Sequence, residues 1–137
     1  IRLECPALED DARDAEAVFA ASLVLGALTN VIDNAVHWVK VRHAEPRDRR
    51  IFINVLPDHF EGPAIVVADN GPGLQDDPGV VVRPFFTRRP GGSGLGLYFA
   101  NLVMELNNGH LTFPTAEQAD VPEAYDGAVV ALVFSER

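Results

Sequence analysis

The chain has 137 residues and a formal net charge of −9; 47% of the residues are hydrophobic and 23% charged. The length suits one domain with its own core, the composition is that of an ordinary soluble protein, and the acidic balance argues against broad contact with nucleic acid or anionic lipid. No apolar run is long enough to span a bilayer, and a lone cysteine, Cys5, excludes an internal disulfide and fits a cytoplasmic location.

In chain order, Ile1, Leu3 and Cys5 alternate with polar residues and predict a short strand ending at Pro6. The opening has neither an initiator Met nor a signal-peptide pattern and reads as part of a longer protein. Residues 14–43 predict one long helix, with Val24, Leu28, Val31, Ile32, Ala35 and Val39 at helical spacing and Pro46 beyond its end. Two strands, Ile51 to Leu56 and Ala64 to Ala68, flank a linker rich in turn residues and predict an antiparallel hairpin. Leu74 to Gly92 holds Pro, Gly and Arg without periodicity, a long loop of the kind that serves as a lid. Ser93 to Leu106 returns to helical spacing, with Leu97, Ala100, Val103 and Met104 as its buried stripe and Asn107-Asn108-Gly109 as its stop. Leu111 to Phe113 and Gly127 to Phe134 predict a closing pair of strands around a polar insert, Pro114 to Asp126. This order gives an α/β fold: a two-layer sandwich with helices packed on a mixed, largely antiparallel sheet. The strict alternation of a doubly wound fold is absent.

Three stretches carry the chemistry. In the long helix, Asn30, Asn34 and His37 fall on one face and make a polar stripe on an otherwise apolar helix. Asn is a poor helix former, and its side-chain oxygen is a hard neutral ligand that suits Mg²⁺. Asp69 ends an apolar strand before Asn70-Gly71-Pro72-Gly73; a carboxylate at the floor of an apolar pocket can accept the exocyclic amine of adenine, with Gly73 allowing close backbone approach. Val66, Val67, Leu74 and Trp38 are candidate walls of that pocket. Gly92-Ser93-Gly94-Leu95-Gly96-Leu97 precedes a helix, where backbone amides and the helix dipole favour an anion, and Arg88 and Arg89 stand just upstream. It is neither a Walker A loop nor a dinucleotide fingerprint.

Together these stretches resemble the GHKL superfamily of gyrase-type topoisomerases, ATP-dependent heat-shock chaperones, histidine kinases and MutL-like repair proteins. They are most similar to the catalytic ATP-binding domain of sensor histidine kinases. Asn30 to Trp38 resembles the N box, Asp69 to Gly73 the G1 box, Pro84-Phe-Phe-Thr87 the F box and Gly92 to Leu97 the G2 box. The resemblance implies the Bergerat fold for residues 1–137 as a single domain, with ATP and Mg²⁺ as ligands. It also implies residue roles. Asn34 would bind the metal, Asn30 would support metal and phosphates, and His37 would be a basic phosphate contact. Trp38 would lie against adenine and Asp69 would take its amine, with Gly71, Gly73 and Leu74 in the same turn. Phe85 and Phe86 would anchor the lid and Arg89 would replace a lid Lys. Gly92, Ser93, Gly94, Leu95, Gly96 and Leu97 would enclose the triphosphate.

Two positions depart from the family's pattern. Efficient ATP hydrolases of the superfamily carry a Glu four residues before the metal Asn; here Asn30 stands there, which favours phosphoryl transfer over hydrolysis. A Thr common at the start of the last strand is absent from Gly127-Ala128-Val129. None of the four histidines, His37, His43, His59 and His110, lies in a phosphoacceptor pattern, so a kinase reading requires the acceptor His on a separate dimerisation region, and a response regulator downstream. A nucleotide-controlled clamp in a larger GHKL protein, or a Ser/Thr kinase of the anti-sigma type, stays open as an alternative.

Overall fold

The computed structural model describes residues 1–6, 19–74, 76–89, 92 and 94–135. Five strands form one sheet in the order β1-β2-β3-β5-β4: β1 (Arg2–Glu4), β2 (Arg50–Leu56), β3 (Ala64–Asp69), β4 (Gly109–Thr112) and β5 (Val129–Phe134). Only β1 and β2 pair in parallel; β2 with β3, β3 with β5 and β5 with β4 are antiparallel. The long helix α1 (Ala21–Arg42) and the second major helix α3 (Gly96–Leu106) lie on one face, and a single short turn of helix, α2 (Pro78–Val81), interrupts the loop between β3 and α3. This is the expected mixed, largely antiparallel α/β sandwich.

Strand period and helix period meet in the core. Val130, Leu132 and Phe134 of β5, with Val67 of β3 and Ile51 of β2, face Val24, Ala27, Val31, Ala35 and Val39 of α1 and Ala100, Val103 and Met104 of α3. The alternate residues Phe52, Val66, Ala68, Val129, Ala131 and Val133 point the other way. Val66, expected in the pocket wall, is therefore on the wrong face for it. The far face is closed by Ala119, Val121 and Tyr125, whose ring lies 5.2 Å from Phe52. The stretch read as a polar insert thus completes a second core, and the Tyr125 hydroxyl donates to Glu4 Oε2 at 2.6 Å.

Helix ends differ from the sequence reading for local reasons. The expected start of the long helix at residue 14 lies outside the described residues; within them, helix begins at Ala21, because Ala20 is extended and its amide donates to Asn107 Oδ1 at 2.7 Å. α3 begins at Gly96 rather than Ser93, which lies outside the described residues, since Gly94 has φ +72°, a value no right-handed helix accepts. Asn108, at φ 58°, provides the left-handed turn from α3 into β4.

Leu132 is fully enclosed between the sheet and both helices. Leu132→Ala should cost about 2–5 kcal/mol, read as a lower urea midpoint with an unchanged denaturant slope.

Candidate functional site

A cavity of about 440 Å³ opens between α1, the helix-side face of β3 and β5, and the loop before α3. Its volume is within the range of small-molecule sites. Asn30, Asn34 and Trp38 line it from α1; Asp69, Gly73 and Leu74 from the end of β3; and Gly92, Gly94, Leu95, Gly96 and Leu97 from the glycine-rich stretch, with Phe86 and Arg89 from the lid. Three segments distant in the chain therefore converge on one space. Asn30 reaches the start of α3: a Cβ placed on Gly96 would lie 3.9 Å from that of Asn30. Ser93 lies outside the described residues.

Asp69 is 4% exposed. Its Oδ1 accepts the amide of Gly71 at 2.8 Å and that of Ala128 at 3.2 Å; among the described residues Oδ2 takes no hydrogen bond, which leaves one acceptor for the cavity. Burial pushes the carboxyl above its ordinary range, against the pull of those two amides. Gly71 is not itself in the wall; it packs behind it, against the backbone of Trp38.

His37 does not join the wall either. Its ring meets the Trp38 ring edge-on at 4.7 Å, and its Nε2 is enclosed with no hydrogen-bond partner among the described residues. Burial, with the nearby Arg89 and Lys40 charges, lowers its pKa against the opposing pull of Asp33. The same surroundings disfavour the charged imidazole.

The lid also departs from expectation. Phe85 is 76% exposed, so its side chain anchors nothing. The anchor is its backbone: Phe85 has φ 68°, its amide donates to Gly94 O at 2.9 Å, and a Cβ on Gly94 would collide with it. Phe86 does face the cavity, with the Arg88 guanidinium 5.9 Å from its ring centre. Arg89 pairs with Asp33 at 2.9 Å, and Arg88 grips Asp76 through two bonds of 2.6 and 2.8 Å. Asp33 and Asp76 line the cavity and were missed from sequence. Asp33 is adjacent to Asn34, but acidic residues beside a phosphate site carry no sequence signal of their own.

A family profile described as "Histidine kinase-, DNA gyrase B-, and HSP90-like ATPase" matches residues 21–136. The chain belongs to this family. Within it, the chain is a histidine kinase-type ATPase domain, for which ATP is the implied ligand. It is 32% identical over 120 residues to the nitrogen regulation protein NtrY of Azorhizobium caulinodans, covering 85% of this chain and 14% of that protein. It is 27% identical over 93 residues to the sensor protein kinase PilS of Pseudomonas aeruginosa, covering 66% of this chain and 17% of PilS. The chain thus spans under a fifth of either relative. Among solved structures, the mycobacterial sensor histidine kinase MprB superposes with a TM-score of 0.65 at 24% identity, over 94% of this chain and 77% of that one. The catalytic domain of the histidine kinase ThkA gives 0.62 at 20% identity, over 94% and 73%. Both show a shared fold.

The raised carboxyl of Asp69 has a measurable sign in the unliganded ATPase domain. Between the ordinary carboxylate value and the higher native one, the folded state holds more protons than the unfolded, so this group's contribution to stability falls as pH rises. Urea unfolding of the wild type and Asp69→Asn over the acid-to-neutral range should show the wild type losing ground to the variant as pH rises through that window. A difference independent of pH would contradict the shift.

Proposed function

We propose that this domain binds Mg-ATP and passes the γ-phosphoryl group to a histidine on a separate dimerisation region, as the catalytic part of a sensor histidine kinase. The observation that carries the reading is the convergence of Asn34, Asp69 and Gly94 on one cavity. In this arrangement Asp69 Oδ2 accepts the adenine amine, Trp38 and Leu74 flank the base, and the loop from Gly92 to Leu97 offers backbone amides to the phosphates.

The donor set fits Mg²⁺ bound mainly through phosphates. Asn34 lines the cavity and carries one hard side-chain oxygen, and among the described residues no cluster of His, Cys, Asp or Glu would compete for the ion. When bound, the ion would neutralise charge on the phosphate oxygens. Asn30 cannot accept a proton, so water near the phosphates has no base at that position. The acceptor imidazole nitrogen forms the new N–P bond as the bond from the γ-phosphorus to the bridging oxygen breaks and ADP leaves. Positioning supplies most of what such transfer needs. A protein partner is also supported by α3, which leaves Phe99, Leu102 and Leu106 exposed, Phe99 at the cavity. A response regulator would then take the phosphoryl group, in the cytoplasm where ATP is available.

The test mixes the purified domain with a dimerisation region bearing the acceptor His and follows γ-labelled phosphate. Acid-labile, base-stable label should appear on the partner, be lost with Asn34→Ala, and outpace release of free phosphate. Brisk hydrolysis without transfer would overturn the reading; nucleotide-dependent partner binding without labelling would point to a clamp.

A second prediction concerns the base. In Asp69→Asn the Gly71 and Ala128 amides would keep the single side-chain oxygen, turning Nδ2 toward the cavity, so a donor would face the adenine amine. ADP affinity by calorimetry should fall by about 1.5–3 kcal/mol; unchanged affinity would remove Asp69 from the base site.

A further inference from the structure

We propose that Arg42, which lies outside the cavity wall, is a positioning residue that holds the base-reading turn in register, with Asp126 as its anchor. The inference rests on the adenine-nucleotide reading of the site. Arg42 is the last residue of α1, one turn beyond Trp38. Its Nη1 donates to Asn70 O at 3.1 Å, to Gly71 O at 2.9 Å and to Asp126 Oδ1 at 2.8 Å, while Nη2 donates to Asp126 Oδ2 at 3.3 Å. Nη1 carries two hydrogens for three oxygens, so one is shared, and the planar fork fixes all three acceptors relative to one another.

The placement of these acceptors gives the interaction its importance. Asp69 Oδ1 is satisfied by two amides from separate segments, Gly71 in the turn and Ala128 before β5. Arg42 bonds both segments from outside, through the Asn70 and Gly71 carbonyls on one side and Asp126 on the other. The Gly127 amide, next to Asp126, donates to Asp69 O at 2.8 Å. Backbone bonds from Gly127 N to Asp69 O and from Asp69 N to Ala128 O bring the two segments together; the guanidinium braces the turn residues Asn70 and Gly71 against Asp126 from outside, and with them the direction in which Oδ2 points. It also makes the α1 backbone that carries Asn34 continuous with the base turn.

The remaining bonds to the turn come from its other side. Asn70 Oδ1 accepts the Arg50 amide at 2.9 Å, the Asn70 amide donates to Arg50 O at 3.2 Å, Asn70 Nδ2 donates to Asp48 O at 2.7 Å, and His43 Nε2 donates to Asn70 O at 2.8 Å. These hold Asn70 but do not reach the segment at 126–128. As an exposed ion pair, Arg42–Asp126 contributes little to stability; its effect is on geometry.

The experiment measures ADP affinity of the domain with and without Mg²⁺, by calorimetry and by the fluorescence of Trp38, the chain's one tryptophan. Arg42→Met should weaken ADP binding about tenfold, since small misplacements of an orienting group have effects of that order or larger. The factor by which Mg²⁺ tightens ADP should stay as in the wild type, because the phosphate end is untouched. Arg42→Lys keeps the charge without the fork and should behave nearly as Met, and Asp126→Asn should fall between. A loss that also removes the Mg²⁺ enhancement, or ADP affinity unchanged in Arg42→Met, would overturn the inference. Should Arg42→Met not fold, Asp126→Asn decides by the same two readings, weaker ADP with the Mg²⁺ factor kept or not. A wild type indifferent to ADP overturns the nucleotide reading and this inference with it; a wild type that binds ADP beside variants that bind equally well overturns the inference alone.

Discussion

The buried carboxylate of Asp69 is the constraint to which the rest of the site conforms. A charged group taken out of water is costly unless it is hydrogen-bonded, and one of its two amide partners, Ala128, is 59 residues away in sequence. The turn after β3 must therefore meet the approach to β5, which the antiparallel pairing of those strands provides. Gly127 follows from the same requirement, since any Cβ there would strike the Asp69 carboxylate. With one oxygen committed to backbone, the other is left to the cavity, and α1 and the glycine-rich loop complete the space around it.

Much of this was legible in the sequence where local physics decides it. The apolar stripe from Val24 to Val39 and the alternation through β2 and β3 are short-range patterns, and each element appears where its period predicts. The N-terminal ends of the helices were read too early, because an amide captured by Asn107 and a positive φ at Gly94 are tertiary facts. Closure of the far face by Ala119, Val121 and Tyr125 was hidden by the Pro, Glu, Gln and Asp around them. Asn34, Asp69 and the loop glycines could be singled out from sequence, and they do line one cavity, because few residue types suit the work proposed for them. Arg42, Asp33 and Asp76 could not, since a charged side chain at a helix end or in a loop looks the same whether solvated or bonded.

The charges at the mouth bear on how an acidic chain would present the proposed anion site. Arg88 and Arg89 would otherwise be mobile on a loop; Asp76 and Asp33 hold them at the cavity edge. Exposed pairs of this kind exchange partners at little cost. On the proposed nucleotide reading, phosphate oxygens arriving there would meet guanidinium groups already in place, and the carboxylates would return to water.

The backbone junction of Phe85 and Gly94 ties the lid and the phosphate loop into one mechanical unit. Both residues sit at positive φ and share a hydrogen bond, with no room for a side chain between them. Rotation about either residue would strain the bond they share, so the cover of the cavity and the cradle beneath it are tied at this point. On the proposed nucleotide reading, occupancy of the cradle would be felt at the outer surface through this backbone contact, without any side-chain relay.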